Sequence, residues 1–300
     1  MNRLPDFLVI GAMKCATSTL HEQLAHQPGF FMSTPKEPCF FSDPEQWAKG
    51  MDWYRSLFAG AGANDLIGES STHYTMLPTY PETVPRIRDI LGDGVKLIYM
   101  MRDPIDRLVS HYIHDWSQGL IDDSPDAALA RRTELIDYGR YAFQLRPYLK
   151  TFGPMRILPV FFEHLTADPS AELKRVCDFL GYDKEAVWQT AFERQNPSEE
   201  RMRNTPLLAF LKAIPGSQVL RRALIPAHMR ERMKRAWRLE RPKLSAETRG
   251  RLAKIFDNDL KILGAWLGLE LNCASFKDVA GRTMPAWAPA CLERLGGDGK

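Results

Sequence analysis

The chain has 300 residues, 44% of them hydrophobic and 26% charged, with a net charge of +3. That composition suits a globular protein with a sizeable core and excludes collagen-like, fibrous and intrinsically disordered classes. No apolar run approaches the ~20 residues that span a bilayer. The N-terminal residues enter a strand without a signal-peptide pattern, and the cysteines (15, 39, 177, 273 and 291) are odd in number, scattered and without a CxxC pair. Reduced thiols and a cytoplasmic location are therefore expected, with no disulfide framework and no zinc site.

In chain order, Phe7-Leu8-Val9-Ile10 reads as a buried strand, followed by a small-residue loop and a helical pattern over 17–26. A strand that turns into a helix start exposes unpaired N–H groups and the positive end of the helix dipole. Lys14 and the hydroxyls of Thr17, Ser18 and Thr19 in that turn make a receptor for an oxyanion, usually phosphate, with one hydroxyl expected to serve as a plain N-cap. Helical periodicity recurs over 46–58, 82–91, 104–117, 139–152 and 169–180. Further strands are predicted at 66–68, 95–101 and 157–162, and Asp103-Pro104 and Asp168-Pro169 are helix-start pairs. Continuous apolar strands alternating with helices predict an α/β fold, doubly wound, with a mostly parallel central sheet flanked by helices. Beyond residue 185 the pattern is helical, with a long last stretch over 245–268. A single domain over 1–300 is expected, with its core at 6–185 and a helical elaboration at 186–300.

The loop does not read as a nucleoside-triphosphate loop. Lys14 follows Gly11 by three residues, no second glycine precedes it, and Cys15-Ala16 separate it from Thr17. The strand over 95–101 delivers Arg102, where a magnesium-binding site would want an acid. A lysine at one end and an arginine at the other suit a ligand with two separated anionic groups and no metal. His111 and His114 lie one helical turn apart without a third ligand and do not read as a metal site. From Arg201 to Lys243, twelve Lys or Arg stand against two acids, a net +10. That segment fits a solvated helical face better than a peripheral membrane contact. No nucleic-acid partner is expected, and nothing in the pattern fixes the oligomeric state.

Three segments carry a family resemblance: Gly11-Ala12-Met13-Lys14-Cys15-Ala16-Thr17-Ser18-Thr19-Leu20, Lys36-Glu37-Pro38-Cys39-Phe40-Phe41, and Tyr99-Met100-Met101-Arg102-Asp103-Pro104-Ile105-Asp106-Arg107-Leu108-Val109-Ser110-His111-Tyr112. In this order they resemble the phosphosulfate loop, the KEPxFF segment and the 3′-phosphate segment of sulfotransferases that use 3′-phosphoadenosine 5′-phosphosulfate (PAPS), in particular the bacterial and heparan-type branch. The resemblance implies a P-loop-like fold, PAPS as donor, 3′-phosphoadenosine 5′-phosphate (PAP) as product and no metal. It also implies transfer to a hydroxyl, less readily an amine, of a small-molecule, lipid or saccharide acceptor. Lys14 would stabilise the leaving 5′-phosphate, with Cys15, Ala16, Thr17, Ser18 and Thr19 cradling it. Arg102 and Ser110 would hold the 3′-phosphate, and Arg238 or Arg241 would close over the nucleotide. Glu37 matches the family's general base, in an apolar setting of Pro38, Phe40 and Phe41 expected to raise its pKa, and His73 is the rival base. Cys39 stands where relatives often carry histidine, and Ser70 where lysine is frequent, leaving Lys36 to compensate. The competing readings are a divergent P-loop kinase or NTPase, and a catalytically degenerate nucleotide-binding module.

Overall fold

The computed structural model describes residues 3–192 and 243–291. Five strands form one sheet: β1 (Phe7–Gly11), β2 (Phe30–Met32), β3 (Leu66–Ser70), β4 (Lys96–Met101) and β5 (Ile157–Phe161). All pairings are parallel, in the order β2-β3-β1-β4-β5. The four predicted strands lie within two residues of their expected bounds. The fifth, β2, has only three residues, too short for the apolar-run criterion to register.

The helices are α1 (Thr17–Ala25), α2 (Pro44–Trp47), α3 (Gly50–Ser56), α4 (Thr83–Leu91), α5 (Pro104–Gln118), α6 (Pro125–Arg131), α7 (Glu134–Asp137), α8 (Tyr141–Phe152), α9 (Phe162–Ala167), α10 (Pro169–Leu180), α11 (Ala246–Leu267) and α12 (Phe276–Arg282). The single helix expected over 46–58 is instead two, α2 and α3. They part before Gly50, which takes a φ of 77° that only glycine adopts without strain. Both Asp-Pro signals work as expected: Asp103 accepts from Asp106 N at 2.8 Å, and Asp168 accepts from Ala171 N at 3.0 Å. Ser245 caps α11 through Thr248 N, and Gly268 ends that helix with a φ of 68°.

One apolar cluster joins the strands to α1, α8 and α10, and takes in Leu260, Leu263 and Leu267 of α11 and Phe276 of α12. A smaller one packs Leu108, Tyr112 and Trp116 of α5 against Leu252 and Phe256 of α11. Gly68 is required by this packing, because a Cβ there would sit 2.1 Å from the Phe7 ring on the neighbouring strand. The parallel sheet gathers all five C-terminal strand ends along one edge. From β1 the chain winds first toward β3 and β2, then toward β4 and β5. The winding therefore reverses between β1 and β4, where a parallel sheet opens a ligand crevice.

Candidate active site

The loop between β1 and α1 is knit to its neighbour: Ala12 N donates to Met100 O at 2.7 Å, and Cys15 N to Ala12 O at 3.3 Å. Lys14 and Ala16 take left-handed φ values of 70° and 65°, a path that turns successive N–H groups inward into an anion-binding hollow. Ala16 occupies the N-cap position and no side chain caps α1, whose first turn holds no acid. The expectation that one hydroxyl of Thr17, Ser18 or Thr19 acts as the cap is thus corrected. The N–H groups of the first turn are left for a ligand, with Thr17 and Thr19 buried beside them. The Lys14 charge acts on His111 and Asp115 of α5.

On the other side of the reversal point, Arg102 leaves β4. Its backbone is clamped by Tyr141, whose hydroxyl accepts from Arg102 N at 3.2 Å and donates to Arg102 O at 2.6 Å. The same hydroxyl lies 3.9 Å from Cys15 Sγ, so one buried tyrosine ties the Lys14 loop to the Arg102 turn. The guanidinium lies over the Phe162 ring at 4.6 Å and reaches Asp106 at only 3.8 Å, a loose pairing. Asp106 has a closer partner in Lys277 at 2.7 Å. Ser110 lies buried two turns into α5. Arg107, fully buried on that helix, donates to Leu135 O.

Glu37 arrives from the β2 side. Glu37 N donates to Ser70 O at 3.0 Å, and its Oε2 accepts from both Thr72 N (2.8 Å) and Thr72 Oγ1 (3.0 Å). Oε1 is paired with the Lys36 ammonium. Burial pushes this carboxyl up, but Lys36 and the Thr72 hydrogen bonds outweigh it and hold Glu37 below the ordinary glutamate value. The expected rise is therefore reversed, while Phe40 and Phe41 pack into a ring cluster with Tyr54, Phe40 stacking on Tyr54 at 4.3 Å. Cys39 is buried, and desolvation raises its thiol to about 12, so it is no nucleophile.

Beneath this loop, Glu69 accepts hydrogen bonds from Tyr54, Ser71 and Tyr74 at 2.5, 2.6 and 2.6 Å. Ser71 Oγ in turn accepts from Cys39 N at 3.0 Å, and Tyr74 OH from Phe41 N at 3.4 Å. A buried carboxylate thus templates the backbone that carries Glu37, which no sequence motif announced. His73 stacks on Tyr80 with centroids 5.1 Å apart, and its Nδ1 is buried without a hydrogen-bond partner. Burial lowers its pKa, so the ring is neutral at pH 7, within the field of Glu37. Ser70, noted above as standing where lysine is frequent, hydrogen-bonds His21 Nδ1 at 3.0 Å.

Lys14 follows β1 and Arg102 follows β4, one on each side of the reversal point, with Ser110 on the helix after Arg102 and with Glu37 and His73 on the β3 side. Arg238, Arg241 and the basic segment up to residue 242 lie outside the described residues. Among the described residues no His, Cys, Asp and Glu cluster could hold a metal ion. Sequence reading could take Tyr141 as either core or pocket and gave Thr72 and Glu69 no role: Tyr141 and Thr72 act on Arg102 and Glu37, 39 and 35 positions away, and Glu69 gathers Tyr54, Ser71 and Tyr74 without forming a motif with them.

Comparison with known proteins gives the family and the fold. A family model described as "Sulfotransferase domain" matches residues 4–264. The chain is 31% identical over 196 residues to heparan sulfate glucosamine 3-O-sulfotransferase 3B1 of Mus musculus, covering 60% of this chain and 46% of that protein. It is 29% identical over 202 residues to bifunctional heparan sulfate N-deacetylase/N-sulfotransferase 2 of Homo sapiens, covering 60% and 22%. The chain thus spans less than half the length of either relative. A solved sulfotransferase from Alicyclobacillus acidocaldarius shares the fold, with a TM-score of 0.65 at 24% identity over 90% of this chain and 98% of that one. The chain belongs to the sulfotransferase domain family.

Proposed function

We propose that the protein transfers a sulfuryl group from PAPS to a hydroxyl of a saccharide. The observation that carries this reading is the convergence of an uncapped, acid-free helix start bearing Lys14 with Arg102 across the reversal point of the sheet. These residues fit a nucleotide with phosphates at both ends. Lys14 and the N–H groups of residues 15–19 would take the 5′-phosphate and neutralise it as it leaves. Arg102, presented as a fork on the Phe162 face, and Ser110 would take the 3′-phosphate.

Glu37 is the base in this reading, because its carboxylate is ionised and held in place by Thr72. His73 is the weaker candidate, since its Nδ1 is buried and its ring is stacked away on Tyr80. The acceptor follows the heparan-named relatives, with the oxygen acceptor preferred over an amine because a carboxylate base suits a hydroxyl proton. A kinase reading would need an acid where β4 delivers Arg102. Five free thiols support the cytoplasmic placement included in the same proposal.

The test is transfer from PAPS labelled in the sulfuryl group to desulfated heparan oligosaccharides, simple glycosides, a glycolipid and a phenol, with products located by mass spectrometry. Label on a sugar hydroxyl is expected, and turnover is expected to be unchanged by EDTA. Label only on the phenol or on the lipid portion would overturn the acceptor class, and no release of PAP with any acceptor would overturn the activity.

A further inference from the structure

Thr72 and Lys36 divide the two oxygens of Glu37 between them. Oε2 takes two hydrogen bonds from Thr72, which use both of its lone-pair directions. Oε1 is the oxygen left to receive a proton, and it is covered by the Lys36 ammonium. As the structure stands, the base is blocked. The Lys36 charge also acts on His21, one turn into α1 and hydrogen-bonded to Ser70. Lys36 is the cation that pairs with Glu37, and Ser70 beside it carries no charge.

We propose that Lys36 is a donor-responsive cap on the catalytic base: it covers Glu37 Oε1 in the free protein, moves onto the sulfuryl oxygens when phosphosulfate binds, and so frees Oε1 for the acceptor. This rests on the PAPS reading above. A phosphosulfate presents more negative charge than one carboxylate, and the flexible lysine stem allows the ammonium to change partner while Thr72 keeps Glu37 in place. In the transfer step the acceptor hydroxyl proton passes to Glu37 Oε1 as the acceptor oxygen–sulfur bond forms. The sulfur–oxygen bond to the 5′-phosphate breaks, and its electron pair leaves on PAP, facing Lys14. The same ammonium then neutralises the sulfuryl oxygens in flight.

The inference has a pH consequence with a definite sign. The charged and titratable groups acting on or sensing Glu37 are Lys36 beside it, Cys39 on its own loop, His21 from α1, Glu69 from β3 and His73 from the following turn. With Lys36 in place, Glu37 is held low. With Lys36 withdrawn to the donor, its pKa rises. The acid limb of kcat/KM for PAPS, which reports the free protein, should therefore lie at lower pH than the acid limb of kcat/KM for the acceptor at saturating PAPS.

The experiment measures PAPS and PAP affinity by calorimetry without acceptor, together with both pH profiles, in the wild type, Lys36→Met and Lys36→Arg. Lys36→Met should weaken PAPS by roughly 10- to 100-fold, the worth of one charge-assisted contact, leave PAP within about twofold, and bring the two acid limbs together. Lys36→Arg should restore most of the PAPS affinity, which a variant that had merely misfolded the loop would not. Equal losses for PAPS and PAP in Lys36→Met, or two acid limbs that coincide already in the wild type, would overturn the cap. A wild type that binds neither nucleotide would overturn the PAPS reading and the cap with it, and is told apart by the wild-type titration alone.

Discussion

Lys14, Ala16, Glu37 and Cys39 are the non-glycine residues with positive φ among the described residues, and all four lie in the two loops that face the crevice. A left-handed conformation costs a non-glycine residue about 1–2 kcal/mol, so the strain is concentrated where ligand contacts can use the resulting geometry. The roles within these loops separate by substitution. Glu37→Gln keeps the Thr72 contacts but removes the base, and turnover should fall by roughly 10²- to 10⁴-fold, with PAP affinity nearly intact. Retained turnover would remove Glu37 from the mechanism. Arg102→Ala should cost PAP roughly 10- to 150-fold, about 1.5–3 kcal/mol, while AMP, lacking the 3′-phosphate, loses little; parallel losses would contradict the assignment. Lys14, Glu37 and Arg102 were legible in sequence because each sits in a short ordered motif. The protonation state of Glu37 was not, since it is set by Thr72, thirty-five positions away in sequence, and by the lysine beside it.

At the scale of elements, the loop bearing Glu37 is only as well ordered as the Glu69 network under it. Glu69→Ala would leave three buried hydroxyls without their acceptor, and a loss of about 2–5 kcal/mol in unfolding free energy is expected. Tyr54→Phe, which removes one donor, should cost only about 1 kcal/mol. Chemical denaturation of the two variants checks this order, and equal small losses would mean the network does not carry the loop. Glu163 supplies a pH test. Burial raises its carboxyl to about 7, although its Oε1 accepts from Asp103 N at 2.9 Å and Arg102 pulls the other way. A folded pKa above the unfolded one means its contribution is fully present below about 4.5 and is lost as pH rises through about 7. Glu163→Gln should flatten the stability profile across that window, and an unchanged slope would contradict the account. Capping pairs and buried strands were readable because they are local. The three-residue β2, the break before Gly50, and the short helices α6 and α7 were not, because tertiary packing decides such short elements.

Across the whole molecule, the C-terminal helices are tied to the sheet rather than appended to it. Asp259 of α11 accepts from Ala142 N and Phe143 N at 2.8 and 3.0 Å, capping α8, which carries Tyr141. Trp287 Nε1 donates to Ile157 O at 2.7 Å. We propose that the sheet, α11 and α12 form one cooperative unit, which predicts a single calorimetric transition; two resolved transitions would split it. Asp259→Ala should lower the melting temperature and, by loosening Tyr141, weaken nucleotide binding as well. The alternation of strand and helix gave the sheet's parallel character, while the clamp from α11 to α8 could not be read from either segment alone.

The most direct measurement of the central claim is a thermal-shift comparison of PAP, AMP and ATP with magnesium, run with and without EDTA. Two cationic clamps at opposite ends of one nucleotide predict that PAP stabilises the protein most, by about 2.7 kcal/mol at one hundred times its Kd, and equally well in EDTA. Equal shifts from PAP and AMP, or a shift that requires ATP with magnesium, would contradict it.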